Sequence, residues 1–314
     1  MKKLVSVLLA CAMAAACGSP TPAGNTTAKK VEKMEKAEFI IIESDEYSAG
    51  KEDPQLTMGM AKFLEVEPNV THLTPAEAAE NVKLKDIKYD FLPLYLVEKK
   101  PAVHSKMEQY IKQGYFQETE DYVVMPHQTR QGVYMNKKAK KNVMDLFVMA
   151  QCPYGVRAEN FVIQAKKEGK FPSGKTLNLH YIVDYNQAKG FNSMHGSGEW
   201  EEAVRQLLIA KYYPGKFWKY LEIRNKDYRS SRWDKAMEEA GVDMKKILSK
   251  FDTEGLELLK KEAAYAKEFG VSASPTIIWE GKVQMDLGSA SKLEGFGFFN
   301  PGQASGVAAP AGSC

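Results

Sequence analysis

The chain has 314 residues, a length that suggests about two domains of ordinary size. It is 44% hydrophobic and 26% charged, which is the composition of a globular protein with buried cores. The net charge of +3 is too small to indicate nucleic-acid binding, and lysines and glutamates alternate as they do on a solvated surface. We therefore predict no nucleic-acid partner.

Residues 1–17 have the pattern of an export signal. Two lysines precede an apolar stretch of thirteen residues, 4–16, which is too short to cross a bilayer. A small residue stands before Cys17, as in a bacterial lipobox, where the cysteine becomes the lipidated N-terminus. We predict a lipoprotein of the cell envelope, at the outer membrane facing the periplasm, with Cys11 as a second candidate for lipidation. Ordinary cleavage after Ala16, which would release a periplasmic protein, is the alternative.

The cysteines are few for an oxidising compartment, where cysteines usually pair. There are four, at positions 11, 17, 152 and 314. Removal of the signal peptide and lipidation of Cys17 would leave two thiols. Cys152 and Cys314 therefore both need an explanation.

The first domain is predicted over residues 37–128, after a Pro/Gly/Thr-rich flexible tether at 18–36. Its pattern alternates strands and helices in the order β-α-β-α-β-α-β. Residues 74–77 read Thr-Pro-Ala-Glu, which predicts a helix start with a capping box. The third strand is led by Pro93. A basic linker without an apolar period is predicted at 129–142.

The second domain is predicted over residues 143–298. An apolar strand leads directly to Cys152, and a long helical region at 199–270 is broken at Pro214 and Gly241. A β-hairpin begins at Thr276, a short helix follows at 289–296, and the Gly/Ala/Pro-rich residues 299–314 form a flexible tail. The fold class of both domains is α/β.

The motif Cys152-Pro153-Tyr154-Gly155 lies where a buried strand meets a helix. A helix N-terminus directs unpaired N–H groups and a partial positive charge at the cysteine sulfur. Both favour the thiolate, which is the nucleophile in disulfide exchange. Pro153 is suited to the first helical turn because its missing N–H has no partner there. We expect Tyr154 to shape the adjoining groove.

Ser274-Pro275-Thr276 follows the helical region and precedes a hairpin. The order strand, Cys-Pro, helix, insertion, then Ser-Pro-Thr and two strands resembles the DsbA-type branch of the thioredoxin superfamily. The resemblance implies that Pro275 is cis and lies against the sulfur of Cys152. It also implies that Ser274 and Thr276 bind an extended peptide substrate.

Within that branch, the stretch after the second strand resembles gamma-interferon-inducible lysosomal thiol reductase and its bacterial relatives. His195, Gly196 and Glu199 match the family signature in register. The cysteines of the family fall on residues of other types here, so we expect its insertion disulfides to be absent; these positions are Ser193, Trp200 and Leu208. His195 is expected to stabilise a turn by hydrogen bonding.

The resemblance also implies that the resolving thiol is absent, because Gly155 stands where the family has the second cysteine of its Cys-x-x-Cys motif. Such a site can hold a mixed disulfide but cannot complete dithiol exchange through that position. Cys314 ends a tail of about fourteen residues whose root-mean-square reach is roughly 20 Å. It is our candidate for a resolving thiol supplied by the same chain; an incidental terminal cysteine is the alternative.

The first domain is predicted to be a smaller thioredoxin-like domain without cysteines. Where a Cys-x-x-Cys would follow its first strand, residues 43–48 read Glu-Ser-Asp-Glu-Tyr-Ser. Tandem thioredoxin folds with one inactive member use that member to bind or orient substrates, which is the role the resemblance implies here.

The function predicted is that of a thiol–disulfide oxidoreductase with one reactive cysteine, Cys152, and with protein or small-molecule thiols and disulfides as partners. No cofactor is predicted, and the five histidines show no metal-ligand spacing. The alternative is a redox-inactive, chaperone-like binding module. A third hypothesis, iron–sulfur binding by a monothiol site, is disfavoured because that chemistry requires a glutathione partner and usually a cytosolic setting.

Overall fold

The computed structural model describes residues 34–126 and 129–300, in two compact units, Met1–Thr129 and Arg130–Cys314. The predicted signal peptide, with Cys11 and Cys17, lies outside the described residues, as does Cys314. Across the described ranges, no helix combines the length and apolarity needed to cross a membrane.

The first unit alternates strands and helices in the predicted order. Its elements are β1 (Glu35–Ile42), α1 (Pro54–Leu64), β2 (Val66–Leu73), α2 (Pro75–Glu80), β3 (Phe91–Leu92), β4 (Leu94–Glu98), α3 (Pro101–Lys112), β5 (Gln117–Glu118) and β6 (Tyr122–Met125). Five strands form a sheet in the order β2-β1-β4-β6-β5. β1 runs parallel to β2 and antiparallel to β4, which is the core arrangement of a thioredoxin-like fold.

The apolar run of β1 is explained by burial on both faces of the sheet. Phe39 and Ile41 pack with one core cluster, together with residues of α1 and α3. Ile40 and Ile42 pack with a second cluster that contains Ala78 of α2. Because side chains alternate across a strand, a strand covered on both faces is apolar throughout. The capping box predicted at residues 74–77 is confirmed at the start of α2.

The second unit is larger and carries the helical insertion. Its elements are β7 (Gly132–Tyr134), β8 (Val143–Val148), α4 (Pro153–Lys167), β9 (Thr176–Tyr181), β10 (Asp184–Asn186), β11 (Gly190–Asn192), α5 (Ser197–Tyr212), α6 (Pro214–Arg224), α7 (Trp233–Ala240), α8 (Met244–Lys250), α9 (Leu256–Glu268), β12 (Thr276–Trp279), β13 (Val283–Met285) and α10 (Leu287–Ala290). The main-sheet strands of this unit lie in the order β7-β13-β12-β8-β9. β8 is parallel to β9, and β12 is antiparallel to both β8 and β13, so this unit also has a thioredoxin-like fold.

Three sequence-based expectations need correction in this unit. The predicted linker contains β7, whose Val133 and Tyr134 are buried; three residues are too few to show a period. The predicted tail includes Phe299, which is fully buried, so the fold continues beyond residue 298. A helix was predicted at 289–296, but α10 spans Leu287–Ala290, and a 3-10 turn at Gly297–Phe299 follows it. The strand pair β10–β11 was not predicted.

Leu208, Trp200 and Ser193 of the insertion make packing and turn contacts. Leu208 is fully buried, and the Trp200 ring stacks on Phe191 at a centroid distance of 5.7 Å. The Ser193 hydroxyl donates to the carbonyl of Gly196 at 2.6 Å. Hydrophobic, aromatic and hydrogen-bonding contacts therefore hold this part of the insertion together.

A buried polar network connects α5 and α6. Glu202 is fully buried and accepts hydrogen bonds from Tyr220 at 2.8 Å and from Gln206 at 3.0 Å. Its other carboxylate oxygen lies 3.0 Å from Arg205 Nε and 3.3 Å from Arg224 Nε. A carboxylate taken out of water is tolerated when it is paired and hydrogen-bonded in this way.

Candidate functional site

The candidate site lies at the end of β8, where the chain turns into α4. Cys152 is the N-cap residue of α4, and Pro153 occupies the first helical turn, as the sequence predicts. The Cys152 N–H donates to the carbonyl of Met149 at 3.0 Å, which closes the turn between strand and helix. The Cys152 side chain is buried, at 1% exposure.

The loop before β12 faces this turn. The peptide bond between Ser274 and Pro275 is cis, as the resemblance implies. The sulfur of Cys152 lies 3.7 Å from the carbonyl oxygen of Ser274, at hydrogen-bonding distance for a thiol. The Met149 N–H donates to Ser274 Oγ at 2.9 Å. Two contacts therefore connect the cysteine turn to the residue that precedes the cis-proline.

The remaining residues of the predicted site differ in accessibility. Tyr154 is 48% exposed, so its ring is available to line a groove. Gly155 is buried in the first turn of α4. Thr276 is buried and begins β12, opposite Phe147, and its hydroxyl donates to the carbonyl of Ala273 at 2.7 Å. The hydrogen of the Thr276 hydroxyl is therefore engaged in a bond within the loop.

A carboxylate that the sequence did not connect with the cysteine supports the turn. Glu199 is fully buried, and its Oε1 accepts the N–H of Gln151, the residue before Cys152, at 2.9 Å. The same carboxylate pairs with His195 Nδ1 at 2.8 Å and accepts the His195 N–H at 3.2 Å. The sequence singled out His195 and Glu199, but the contact of Glu199 with Gln151 spans 48 positions and depends on the fold.

An arginine adds positive charge beside the same turn. Arg229 Nε donates to the carbonyl oxygen of Gln151 at 3.3 Å, and the Arg229 side chain is exposed. Its position, in the loop before α7, has no motif that the sequence could have shown.

Asp145 of β8 and His180 of β9 have shifted pKa values. Burial alone would raise the pKa of Asp145, but hydrogen bonds with His180, Tyr265 and Asn178 outweigh it and lower the pKa to about 2. Burial would lower the pKa of His180, but its bonds to Asp145 and Glu262 raise that pKa to about 9. The two shifts agree with a charged Asp145–His180 pair that joins β8 to β9.

Glu159 lies in α4, the helix that Cys152 caps. Burial raises the pKa of Glu159 to about 8, a bond from Asn225 opposes the shift, and the charge of Glu202 adds to it. Asn225 Nδ2 donates to Glu159 Oε2 at 2.8 Å. In the part of the chain that the structure describes, Glu159 Oε1 has no hydrogen-bond partner. The protonated form of this carboxyl is therefore favoured at neutral pH, because a lone buried charge is strongly disfavoured.

In the first unit, the position that corresponds to Cys152 lies at the start of α1. Its helix α1 has Asp53 at the N-cap and Pro54 in the first turn, the same positions as Cys152 and Pro153. The expectation that residues 43–48 replace the cysteine motif is corrected, because a longer loop separates β1 from α1. The peptide bond before Pro93 is cis, as it is before Pro275.

The first unit also contains the one group of described residues whose side chains are close enough together to hold a metal ion. The ligand atoms of Glu43, Glu52 and His72 lie within 4.8 Å of one another. His72 Nδ1 is 3.1 Å from Glu43, and His72 Nε2 is 3.4 Å from Glu52. Lys51 also pairs with Glu43, at 3.4 Å. These residues already satisfy one another as an ion-pair cluster.

Comparison with known proteins gives matches in fold. No protein-family model and no curated protein matches the chain. BdbD from Bacillus subtilis is similar at 17% identity and a TM-score of 0.36, over 45% of this chain and 77% of its own. SrgA from Salmonella enterica serovar Typhimurium has 12% identity and a TM-score of 0.39, over 54% of this chain and 92% of its own.

A third match is DsbA from Proteus mirabilis with a non-covalently bound peptide, at 14% identity and a TM-score of 0.36, over 54% of this chain and 89% of its own. Likeness at this level is one of fold and carries no activity with it. The strand order of the second unit is that of a thioredoxin-like fold with a helical insertion.

Proposed function

We propose that the protein exchanges thiols and disulfides through the single sulfur of Cys152. The observation that carries the proposal is the position of this sulfur. It belongs to the N-cap residue of α4 and lies 3.7 Å from the carbonyl of Ser274, the residue before the cis-proline. Cys152 also lies at the N-terminus of α4, where a helix carries partial positive charge.

The reaction exchanges one disulfide for another and consumes no external oxidant or reductant. The Cys152 thiolate attacks one sulfur of a substrate disulfide, a new S–S bond forms, and the old S–S bond breaks. The departing sulfur leaves as a thiolate and takes a proton from solvent. A second thiolate, from Cys314, a small thiol or a protein partner, then attacks the mixed disulfide and releases Cys152.

The setting of this reaction is proposed from the N-terminal sequence. The signal pattern and Cys17 support an envelope lipoprotein, and the first unit supports a role in binding client peptides. Labelled palmitate supplied to expressing cells should enter the protein. Cys17→Ser should abolish the label, while Cys11→Ser should leave it unchanged; the reverse result would assign lipidation to Cys11.

A second candidate function is favoured by the burial of Cys152, which is 1% exposed. A buried thiol is a poor nucleophile, and a redox-inactive module that binds clients would not need one. The Ser274–Pro275 loop and the exposed Tyr154 would then serve only as a binding surface.

Reaction of the folded protein with an aromatic disulfide reagent distinguishes the two candidates. The full chain with Cys11, Cys17 and Cys314 replaced by alanine has one thiol left. We expect it to release one equivalent of reporter thiol and to gain one adduct at Cys152. Absence of reaction until the protein is unfolded would overturn the exchange function and leave the binding module.

A further inference from the structure

Gly155 stands where the Cys-x-x-Cys pattern has its second cysteine, and the structure shows why that position carries no side chain. A Cβ placed on Gly155 would lie 2.6 Å from Ser274 Oγ. It would also lie 3.1 Å from Val148 Cβ and 3.2 Å from the carbonyl oxygen of Met149. A distance of 2.6 Å is below van der Waals contact, so the first atom of any side chain collides with the serine hydroxyl.

The glycine is not explained by backbone conformation. It lies inside α4, and Gly155 is not among the glycines with a positive φ. Glycine in a helix is disfavoured relative to alanine because it loses more conformational freedom on folding. The lack of space therefore explains the glycine, and the hydroxyl of Ser274 makes the shortest of the three contacts.

The serine hydroxyl is held in that place. The Met149 N–H donates to Ser274 Oγ at 2.9 Å, across 125 positions of sequence. Rotation of the Ser274 side chain away from Gly155 would leave this part-buried N–H without the bond. The hydroxyl both fills the space and supports the turn that presents Cys152.

We infer that Ser274 determines the single-thiol character of the site: its hydroxyl occupies the volume that a second cysteine at position 155 would need, so the resolving sulfur must arrive from outside α4. This inference rests on the proposed exchange function. It adds that a cysteine at position 155 would require a second change, at Ser274 in the loop before the cis-proline.

The test is a thermal-stability cycle in the full chain, with Gly155→Ala, Ser274→Ala and the double variant. Gly155→Ala should lower Tm by roughly 3–10 °C, the range that overpacking produces in a unit of this size. In the Ser274→Ala background the same change should lower Tm by clearly less, because only the contacts with Val148 Cβ and the Met149 carbonyl oxygen remain. The matched control is Gly215→Ala, since Gly215 lies in the first turn of α6 with nothing within 4 Å of its Cβ position.

A thiol readout follows from Gly155→Cys, made with Cys11, Cys17 and Cys314 replaced by alanine. With Ser274→Ala, oxidised glutathione should convert the Cys152 thiol and the new thiol into one disulfide. Two protons and two electrons leave the protein, and one oxidised glutathione becomes two reduced molecules. With Ser274 present, we expect Cys152 to remain as a mixed disulfide with glutathione.

Two outcomes would overturn the role of Ser274. One is an equal loss of Tm from Gly155→Ala with and without the serine hydroxyl. The other is an internal disulfide that forms as readily with Ser274 as with alanine. If Cys152 of the otherwise unchanged protein fails to react with oxidised glutathione, the exchange function fails instead, while the stability cycle still reports on Ser274.

Discussion

The two units start their first helix after a parallel strand with the same backbone device but with different chemistry. In the first unit, Asp53 caps α1, and its carboxylate accepts the N–H groups of Gln55 and Leu56 at 3.0 and 3.4 Å. In the second, Cys152 is the N-cap residue of α4 but makes no side-chain cap hydrogen bond, and its sulfur faces the carbonyl of Ser274.

The loop that carries the cis-proline differs in the same sense. In the first unit, Tyr95 lies in β4, two positions after the cis-proline Pro93. Its hydroxyl accepts the N–H of Asp53 at 2.8 Å. The contact stabilises the helix start and leaves a capped, unreactive end. In the second unit no side chain caps the helix, and a sulfur lies at the positive end of the helix dipole. The comparison teaches that the same helix start holds either a carboxylate that caps the helix or the sulfur on which the proposed exchange depends, according to the N-cap residue.

The largest expected effect concerns Cys152 itself. Cys152→Ala should abolish mixed-disulfide formation with glutathione, because the sulfur is the only atom of the site that can form the bond. Asp53→Ala, the equivalent change in the first unit, should leave the reaction rate unchanged. The measurement is adduct formation by mass spectrometry, with Cys11, Cys17 and Cys314 replaced by alanine throughout. Adduct formation that survives Cys152→Ala would show that another group carries the reaction.

Glu202→Ala tests how much the buried network between α5 and α6 stabilises the second unit. It would leave Arg205 and Arg224 buried without their carboxylate, and we expect a loss of about 3–5 kcal/mol in the free energy of unfolding. The control is Glu201→Ala, whose carboxylate is 39% exposed and lies 3.8 Å from Arg205; that change should have an effect of about 0.5 kcal/mol or less. Equal losses in urea titrations of both variants would contradict the role of burial.

Glu159→Gln tests the buried neutral acid of α4 through pH. Because burial raises the pKa of Glu159 above its ordinary value of 4.5 to about 8, folding retains a proton that the unfolded chain releases. The contribution of this group is complete below pH 4.5 and is lost as pH rises towards 8. Relative to Glu159→Gln, the unchanged protein should lose on the order of 2 kcal/mol between pH 5 and pH 8. Parallel stability curves would exclude a raised pKa.

Glu199→Ala tests the support of the Cys152 turn. It removes the acceptor for the Gln151 N–H and for His195, so we expect adduct formation at Cys152 to slow roughly tenfold. Glu199→Gln keeps one acceptor oxygen and should recover part of the rate. A stability loss without any change in the reaction rate would mean that Glu199 supports the fold alone.

The smallest effect is expected at the N-cap of the first unit. Asp53→Ala should lower stability by about 1 kcal/mol, since two N–H groups lose their partner, while Asp53→Asn should be nearly neutral. Chemical denaturation of the three proteins measures the difference. A negligible loss for Asp53→Ala would weaken the view that the first unit uses this position for stability.

Much of the architecture was predictable because it depends on neighbours in sequence. The breaks at Pro214 and Gly241 end helices, and the apolar run before Cys152 forms β8, as expected. Proline lacks a helical N–H, glycine at C′ adopts a left-handed conformation, and a continuous apolar run indicates a strand buried on both faces. The short strand β7 was missed because three residues carry too little pattern.

The sequence by itself determined that a cysteine starts a helix after a buried strand and that a Ser-Pro-Thr strand follows the helical insertion. Only the tertiary structure decided what surrounds the sulfur. Ser274 meets Met149 across 125 positions, Glu199 reaches Gln151 across 48, and Asp53 meets Tyr95 across 42. Local patterns reflect the conformational preferences of adjacent residues, whereas these contacts exist because packing of the sheet and helices brings distant segments within hydrogen-bonding distance.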